Sequence, residues 1–314
     1  MNTSFIWQGR VDSEEPRLST RWHQHVRPFD SQSQGGVALV GFAVDEGVRR
    51  NSGRAGAAEG PRSMRNALAS LPVLNEPPLW DLGDVESQAG DLESAQTTLA
   101  GCVAQAIQQD CLPLVMGGGH EVAWGTFQGI AQARPEYERV LIVNFDAHFD
   151  LRLAAQPNSG TPFRQIREWC VQNGRPFEYR VLGISPFANT QALFERAADW
   201  GVRYSLDEEL QSQMGVQQAK QALAVDLSQC DAVYLTVCLD VLPGGQAPGV
   251  SAPAALGVPL GVVLSLMDEI LDSGKLIAAD IAELNPALDR DGLTARVGAR
   301  IAGHIARSGR LRKR

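Results

Sequence analysis

Short apolar runs alternate with amphipathic stretches along most of this chain. Apolar runs fall at 37–42, 79–82, 112–116, 139–145, 179–184, 232–239 and 276–282. Their length and β-branched content predict strands. Between them, apolar positions recur at helical spacing near 60–71, 91–109, 120–132, 163–172, 189–200, 207–224, 259–273 and 292–308. Val233-Tyr234-Leu235-Thr236-Val237 lacks the polar alternation of a half-exposed strand, so strands covered on both faces are expected. Repeated βα alternation then predicts a parallel sheet with helices on both sides. Residues 1–36 stand outside the pattern. They are polar, irregular and end in Ser31-Gln32-Ser33-Gln34-Gly35-Gly36. They read as an N-terminal arm, packed on the main body or on a neighbouring subunit, ahead of a single domain at 37–314.

Ligands of such sheets gather beyond the carboxyl ends of the strands. Four polar clusters fall there. Behind Leu112–Val115 comes Gly117-Gly118-Gly119-His120, where three glycines permit a sharp turn. The Lys-Ser or Lys-Thr of a phosphate loop does not follow, and by itself the segment also fits an ordinary tight βα turn. Behind Val140–Val143 comes Asn144-Phe145-Asp146-Ala147-His148-Phe149-Asp150. In an extended segment, period-2 spacing sends Asp146, His148 and Asp150 to one side. Three such groups need solvent or a cation to satisfy them. The third cluster is Cys238-Leu239-Asp240; Asp240 is the better ligand, since a free cysteine often only fills core space. The fourth is Glu283 in Glu283-Leu284-Asn285-Pro286, which reads equally well as a surface-loop acid.

Together His120, Asp146, His148, Asp150 and Asp240 offer two imidazoles and three carboxylates. A single catalytic zinc takes three protein ligands. This larger set suits two ions about 3.5–4 Å apart sharing an activated water, and its oxygen-rich character favours Mn²⁺. The residues alone therefore reach a dinuclear metal hydrolase.

The bulk numbers narrow the setting. A net charge of -8 over 314 residues argues against nucleic-acid or anionic-membrane partners. The basic end Arg310-Leu311-Arg312-Lys313-Arg314 reads as a solvated tail. No apolar run approaches the roughly 20 residues of a membrane span, and the first ten residues lack the pattern of a signal peptide. Five cysteines without CxxC spacing fit reduced thiols in a cytoplasmic enzyme. His23, His25 and His304 have no ligand-like spacing partner and read as surface or core histidines.

Gly-Gly-Gly-His, Asp146-Ala147-His148-Phe149-Asp150, Leu239-Asp240-Val241-Leu242-Pro243 with Ala247-Pro248-Gly249, and Glu283-Leu284-Asn285-Pro286 occur in this order. Over residues 37–308 the chain resembles the ureohydrolase (arginase/agmatinase) superfamily. Leu151-Arg152, Ser159-Gly160-Thr161-Pro162-Phe163, Val250-Ser251-Ala252-Pro253, Asp45-Glu46-Gly47-Val48 and the Gly53-Arg54 loop make it most similar to the formimidoylglutamase branch. The resemblance implies an arginase-like three-layer α/β/α fold with a mostly parallel eight-stranded sheet. It implies two Mn²⁺ per subunit, hydrolysis of N-formimidoyl-L-glutamate to L-glutamate and formamide, and a homo-oligomer. By the same resemblance His120, Asp146, Asp150 and Asp240 hold one or both ions and His148 the second. Asp150 also passes a proton to the departing amine, and Glu283 pairs with the cationic formimino group. Two departures stand out. Cys238 replaces a carboxylate that the superfamily uses on its metals, so it ligates as thiolate or leaves the second ion weaker. Ser159-Gly160 replaces the His-Gly loop of arginases.

Arg152 adds a physical argument. Formimidoylglutamate carries two carboxylates, and a guanidinium can bind one bidentately; agmatine has none. A surface salt bridge is the plainer use of such an Arg. Asn51, Arg54 and Ser159 are further candidates for the substrate pocket. Two alternatives use the same residues: a ureohydrolase acting on a guanidino acid such as guanidinobutyrate, and a weakly active relative that binds a ligand.

Overall fold

The computed structural model describes residues 5–15 and 18–307. Nine parallel strands form one sheet: β1 Arg27–Pro28, β2 Val37–Ala43, β3 Leu79–Glu86, β4 Leu112–Met116, β5 Val140–Phe145, β6 Glu178–Ile184, β7 Arg203–Leu206, β8 Ala232–Cys238 and β9 Leu276–Ala282. Their order is β1-β3-β2-β4-β9-β8-β5-β6-β7. Every residue of β8 and β9 is buried, as the unbroken apolar run of the former requires.

Alternate strand residues feed two cores. Leu39, Leu114, Val143 and Leu235 face one side, where they meet Met64 and Leu68 of helix Gly60–Ala69 and Val263 of helix Leu260–Asp272. Val40, Val115, Ile142 and Tyr234 face the other, against Leu99, Phe127 and Phe163 of helices Leu92–Gln108, Val122–Ala133 and Pro162–Gln172. The result is a three-layer α/β/α arrangement.

The sheet has nine strands, not the eight expected. The extra one comes from the N-terminal arm: Arg27 and Pro28 of β1 lie beside Trp80 and Asp81 of β3. The arm packs on its own chain. Trp22 is fully buried and its amide donates to Leu71 O. The Trp7 indole donates to Asp81 Oδ2 at 2.7 Å. Asp81 and Asp84 in turn neutralise Arg65, which is fully buried beneath the arm. Strand β7 also went unpredicted, because Arg203-Tyr204-Ser205-Leu206 is short and only partly buried.

Other sequence expectations meet simple partners. His23 and His25 contact the carbonyls of Ala69 and Pro77, and His304 pairs with Asp268. The basic tail lies outside the described residues. Among the described residues, no helix is long and apolar enough to cross a membrane.

Candidate metal centre

The four polar clusters follow β4, β5, β8 and β9, and these strands are neighbours in the order β4-β9-β8-β5. Clusters scattered over more than 160 positions are thereby brought to one sheet edge. After β4, the Gly117 amide donates to Ile281 O at 2.7 Å and the Gly119 amide to Val44 O at 3.0 Å. A Cβ on Gly118 would lie 1.8 Å from that same Val44 oxygen, so the crossing of these backbones demands glycine. Glu283 closes the turn from the other side. Its amide donates to Gly118 O, and its Oε1 accepts the His120 amide at 2.9 Å.

His120 Nδ1 lies 3.0 Å from Asp146 Oδ2 and 3.0 Å from Asp150 Oδ2. His148 Nδ1 lies 3.4 Å from Asp146 Oδ1 and 3.2 Å from Asp240 Oδ2. Asp146 therefore stands between the two imidazoles, one oxygen toward each. Two compact ligand groups result, His120 with Asp146 and Cys238, and Asp146 with His148 and Asp240. Asp150 adjoins the first through His120. His120 Nδ1, despite its short contacts, is buried without a hydrogen-bond partner, and so is Asp240 Oδ1. Buried polar atoms are normally paired, so these donor atoms are disposed to converge on something else. Two imidazoles and three carboxylates fit divalent cations that prefer oxygen and nitrogen.

Burial and close acid–imidazole contacts set the electrostatics of the cluster. Burial works against charge on both histidines. The Asp146 and Asp150 carboxylates, each 3.0 Å from Nδ1, nevertheless hold His120 well above its usual pKa, and Asp240 and Asp146 do the same for His148. Burial would raise Asp146, but its two imidazole partners outweigh that and lower it. Asp150 is raised, by burial and then by the neighbouring Asp146 charge. Burial pushes Glu283 up to about 8, helped by Glu121 and Asp240. Burial, then the charges of Asp146 and Asp240, pushes the Cys238 thiol well up, which keeps it neutral.

The segment 146–150 is not the extended continuation of β5 that the sequence predicted. The strand stops at Phe145, and Asp150 has a left-handed φ of 49°. Glu283 has φ 71°. Non-glycine residues in this region carry strain that surrounding contacts must hold, and such strain clusters at functional sites. The alternation survives in burial alone: Ala147, Phe149 and Leu151 enter the core, while His148 and Asp150 face the cavity.

Sequence reasoning missed the supports. Asn144 donates to Asp146 Oδ2 at 3.0 Å and to the Tyr179 hydroxyl at 2.9 Å. Asn189 ties Phe149 N and Ala147 O, fixing the turn. Glu121 is fully buried, with Oε1 accepting the Gly47 amide at 2.7 Å. Burial pushes its carboxyl up to about 7. Asn144 and Glu121 were visible as polar residues inside apolar or glycine-rich runs, the one available signal; Tyr179 and Asn189 had none.

A cavity of about 430 Å³ opens above these side chains. His120, His148, Asp150, Cys238, Asp240 and Glu283 line it, together with Asn51, Arg54, Arg152 and Ser159. Asp146 lies beneath, fully buried. Asn51 Nδ2 donates to Ser159 Oγ at 3.1 Å. The Arg152 stem crosses Gly160, where a Cβ would meet its Cδ at 2.7 Å. Its guanidinium has no hydrogen bond or ion pair among the described residues. Arg54 is engaged differently: its Nε and Nη2 donate to Ser251 O and Val250 O, each at 2.8 Å. Asn285 Nδ2 donates to the carbonyls of Arg54 and Ala55, so three loops clasp one wall of the cavity.

The model of the arginase family matches residues 35–307. This chain belongs to the arginase family. It is similar to a formimidoylglutamase from Ralstonia nicotianae, with 49% identity covering 96% of this chain and 94% of that protein. A formimidoylglutamase structure from Bacillus subtilis superposes with TM-score 0.84 at 23% identity, covering 98% of this chain and 96% of that one, which speaks for the fold alone. A Trypanosoma cruzi formiminoglutamase solved with two Mn²⁺ has TM-score 0.79 at 25% identity, covering 92% of this chain and 97% of that one. In this chain the Cys238 thiol groups with His120 and Asp146.

Proposed function

We propose that this chain is a Mn²⁺-dependent hydrolase of N-formimidoyl-L-glutamate, releasing L-glutamate and formamide. The observation that carries the reading is Asp146 shared between two ligand groups at the floor of one cavity. The relatives' names and the Arg152 guanidinium, unpartnered at the cavity wall, support the substrate.

In this reading His120, Asp146, Asp150 and Cys238 would hold one ion, and Asp146, His148 and Asp240 would hold the other. When bound, the ions supply Lewis acidity and lower the pKa of water. The residues do the rest. Glu283 faces the formimino cation and fixes the trigonal carbon. Arg152 binds a substrate carboxylate, with Asn51 and Ser159 beside it, while Arg54 keeps the wall in place. Asp150 takes a proton from the attacking water and delivers it to the departing amine nitrogen. Water adds to the carbon, the C–N bond breaks, and formamide and the free amine of glutamate result. The reading includes a cytoplasmic setting and self-association, for which exposed side chains such as Phe187, at 92% exposure, offer contact area.

The test is a product assay on Mn²⁺-loaded protein with N-formimidoyl-glutamate, guanidinobutyrate, agmatine and arginine in parallel. Glutamate and formamide from the first alone are expected. Urea from a guanidino substrate would overturn the specificity while keeping the centre.

Two variants refine it. Arg152→Ala is expected to raise KM about 10–100-fold, the scale of a lost hydrogen bond to a charged group, with metal content unchanged. An unaltered KM removes Arg152 from substrate binding. Cys238→Asp is expected to tighten the more weakly held ion in a chelator titration, because a hard carboxylate replaces a neutral thiol. Unchanged occupancy would place the thiol off the centre.

A further inference from the structure

Residues 45–56 form a loop after β2, and its middle, residues 51–54, lines the cavity. Surface loops are ordinarily the mobile part of a fold. This one is closed on itself by a carboxylate. Asp45, its first residue, is buried. Asp45 Oδ2 accepts the Gly56 amide at 2.6 Å, which joins the two ends, and Oδ1 accepts Arg49 Nε at 3.1 Å. A carboxylate is a costly way to fill a buried position, and here both of its oxygens are used. Gly56 has φ 130°, and a Cβ there would lie 2.5 Å from Asn285 Oδ1, so the chain reaches Asp45 in a conformation that glycine alone takes readily. Between the two ends, the amides of Asn51 and Gly53 donate to Gly47 O and Val48 O at 2.9 and 2.8 Å. The loop then bears on the turn beneath Arg152. Asn51 Nδ2 donates to Ser159 Oγ, and a Cβ on Gly160 would lie 3.2 Å from the same nitrogen. Arg50, in the short helix Glu46–Arg50, donates to Pro157 O at 3.2 Å. Gly160 O in turn accepts the Arg152 amide at 2.8 Å.

We propose that Asp45 is a positioning residue for substrate recognition: by closing the 45–56 loop it holds Asn51 against the 158–160 turn, and through that turn it sets the seat of Arg152. This rests on the substrate reading above. Asp45 itself lies outside the cavity lining, so its influence passes through Asn51 and Gly160. A guanidinium grips a carboxylate bidentately only when its planar fork is aimed at it, and a misplacement of about 1 Å costs on the order of 100-fold. An ionised carboxylate only accepts, so it satisfies the Gly56 amide and the Arg49 guanidinium together; an amide side chain offers a single acceptor oxygen. The candidate metal ligands follow β4, β5 and β8, whereas Asp45 follows β2. Its loss should therefore fall on substrate binding and spare the metal centre.

The experiment uses the Mn²⁺-loaded full chain and compares wild type with Asp45→Ala, Asp45→Asn, Asp45→Glu, Arg152→Ala and the Asp45→Ala/Arg152→Ala double variant. It measures KM and kcat for N-formimidoyl-glutamate, bound Mn²⁺, and deuterium exchange of the 45–56 backbone amides. Asp45→Ala is expected to raise KM about 10–100-fold, to keep kcat and metal content, and to quicken exchange at Gly56. Asp45→Asn is expected to recover most of the KM: its amide oxygen still accepts the Gly56 N–H, and the exposed Arg49 side chain can turn to water. In the double variant KM should match that of Arg152→Ala alone, because effects that pass through one shared contact do not add. A loss of packing with no link to Arg152 would instead add to it. Should Asp45→Ala fail to fold, Asp45→Glu reads the same point: it keeps the charge but shifts the Gly56 end of the loop, and is expected to raise KM. A wild-type KM in the folded variant, or a double variant whose KM exceeds that of Arg152→Ala, overturns the positioning role and leaves the metal centre intact. No glutamate from the Mn²⁺-loaded wild type overturns the substrate reading, and this proposal with it.

Discussion

Asp146→Ala is expected to remove both ions together and to lower turnover by about 10³-fold or more, roughly 4 kcal/mol of transition-state stabilisation. No other candidate ligand should match it, because Asp146 alone belongs to both compact groups. Asp240→Ala touches only the His148 side and is expected to leave the ion at His120 largely in place. The loss in Asp146→Ala also has a folding component. Asp146 Oδ1 accepts the His148 amide at 2.7 Å, and Oδ2 accepts Asn144 Nδ2 at 3.0 Å. Each donor left unpaired in the core costs about 1–3 kcal/mol. The chain should still fold, since the cores above and below the sheet are untouched, but with a lower melting temperature. Elemental analysis and circular dichroism on the purified variant separate the two effects. Two ions per chain in Asp146→Ala would show that the carboxylate bridges nothing.

The route from sequence to site was uneven, for physical reasons. The parallel sheet and the helices around it were legible because buried strands and amphipathic helices leave periodic patterns, as in 232–239 and 91–109. The candidate clusters were visible because metal chemistry needs rare residue types at strand ends: Asp146, His148 and Asp150 stood out as a group, whereas His120 by itself also fitted an ordinary tight turn. Convergence was not legible. It depends on β4, β9, β8 and β5 being neighbours, which strand order decides and local sequence does not. The edge strand Arg27–Pro28 has no apolar signal, because it is only two residues long and exposed. Arg54 looked like a substrate ligand from its Gly-rich loop, yet two of its donor nitrogens hold the 250–251 loop. Thr236 and Asp280 sat inside apolar runs, and their side-by-side placement in β8 and β9 follows from strand order. Side chains that act through other side chains carry no local pattern.

Removing the metal should invert the ordinary pH response of stability around this site. In the metal-free protein, burial and neighbouring acids push Glu121 up to about 7 and Glu283 up to about 8. In the unfolded chain both return to 4.5. Between these values the folded protein keeps protons that the unfolded chain has released. Their stabilisation is complete below pH 4.5 and disappears as pH rises through the folded values, at about 1.4 kcal/mol per pH unit for each proton. His120 and His148, held well above 6.5, act in the same direction, their contribution fading as pH climbs past 6.5. The lowered Asp146 acts oppositely, but only below 3.8. The metal-free melting temperature is therefore expected to fall steadily between about pH 6 and 8.5. Mn²⁺ would compete with the protons on His120 and His148, so its affinity should rise over that window. Because a ligand stabilises in proportion to the logarithm of its concentration over Kd, the temperature gain on adding Mn²⁺ should widen as the metal-free baseline drops. Thermal scans at fixed Mn²⁺ and with chelator, across that range, read both slopes at once. Glu283→Gln and Glu121→Gln should each flatten the metal-free slope by about one proton. A metal-free protein that gains stability with pH would mean these buried acids are already ionised.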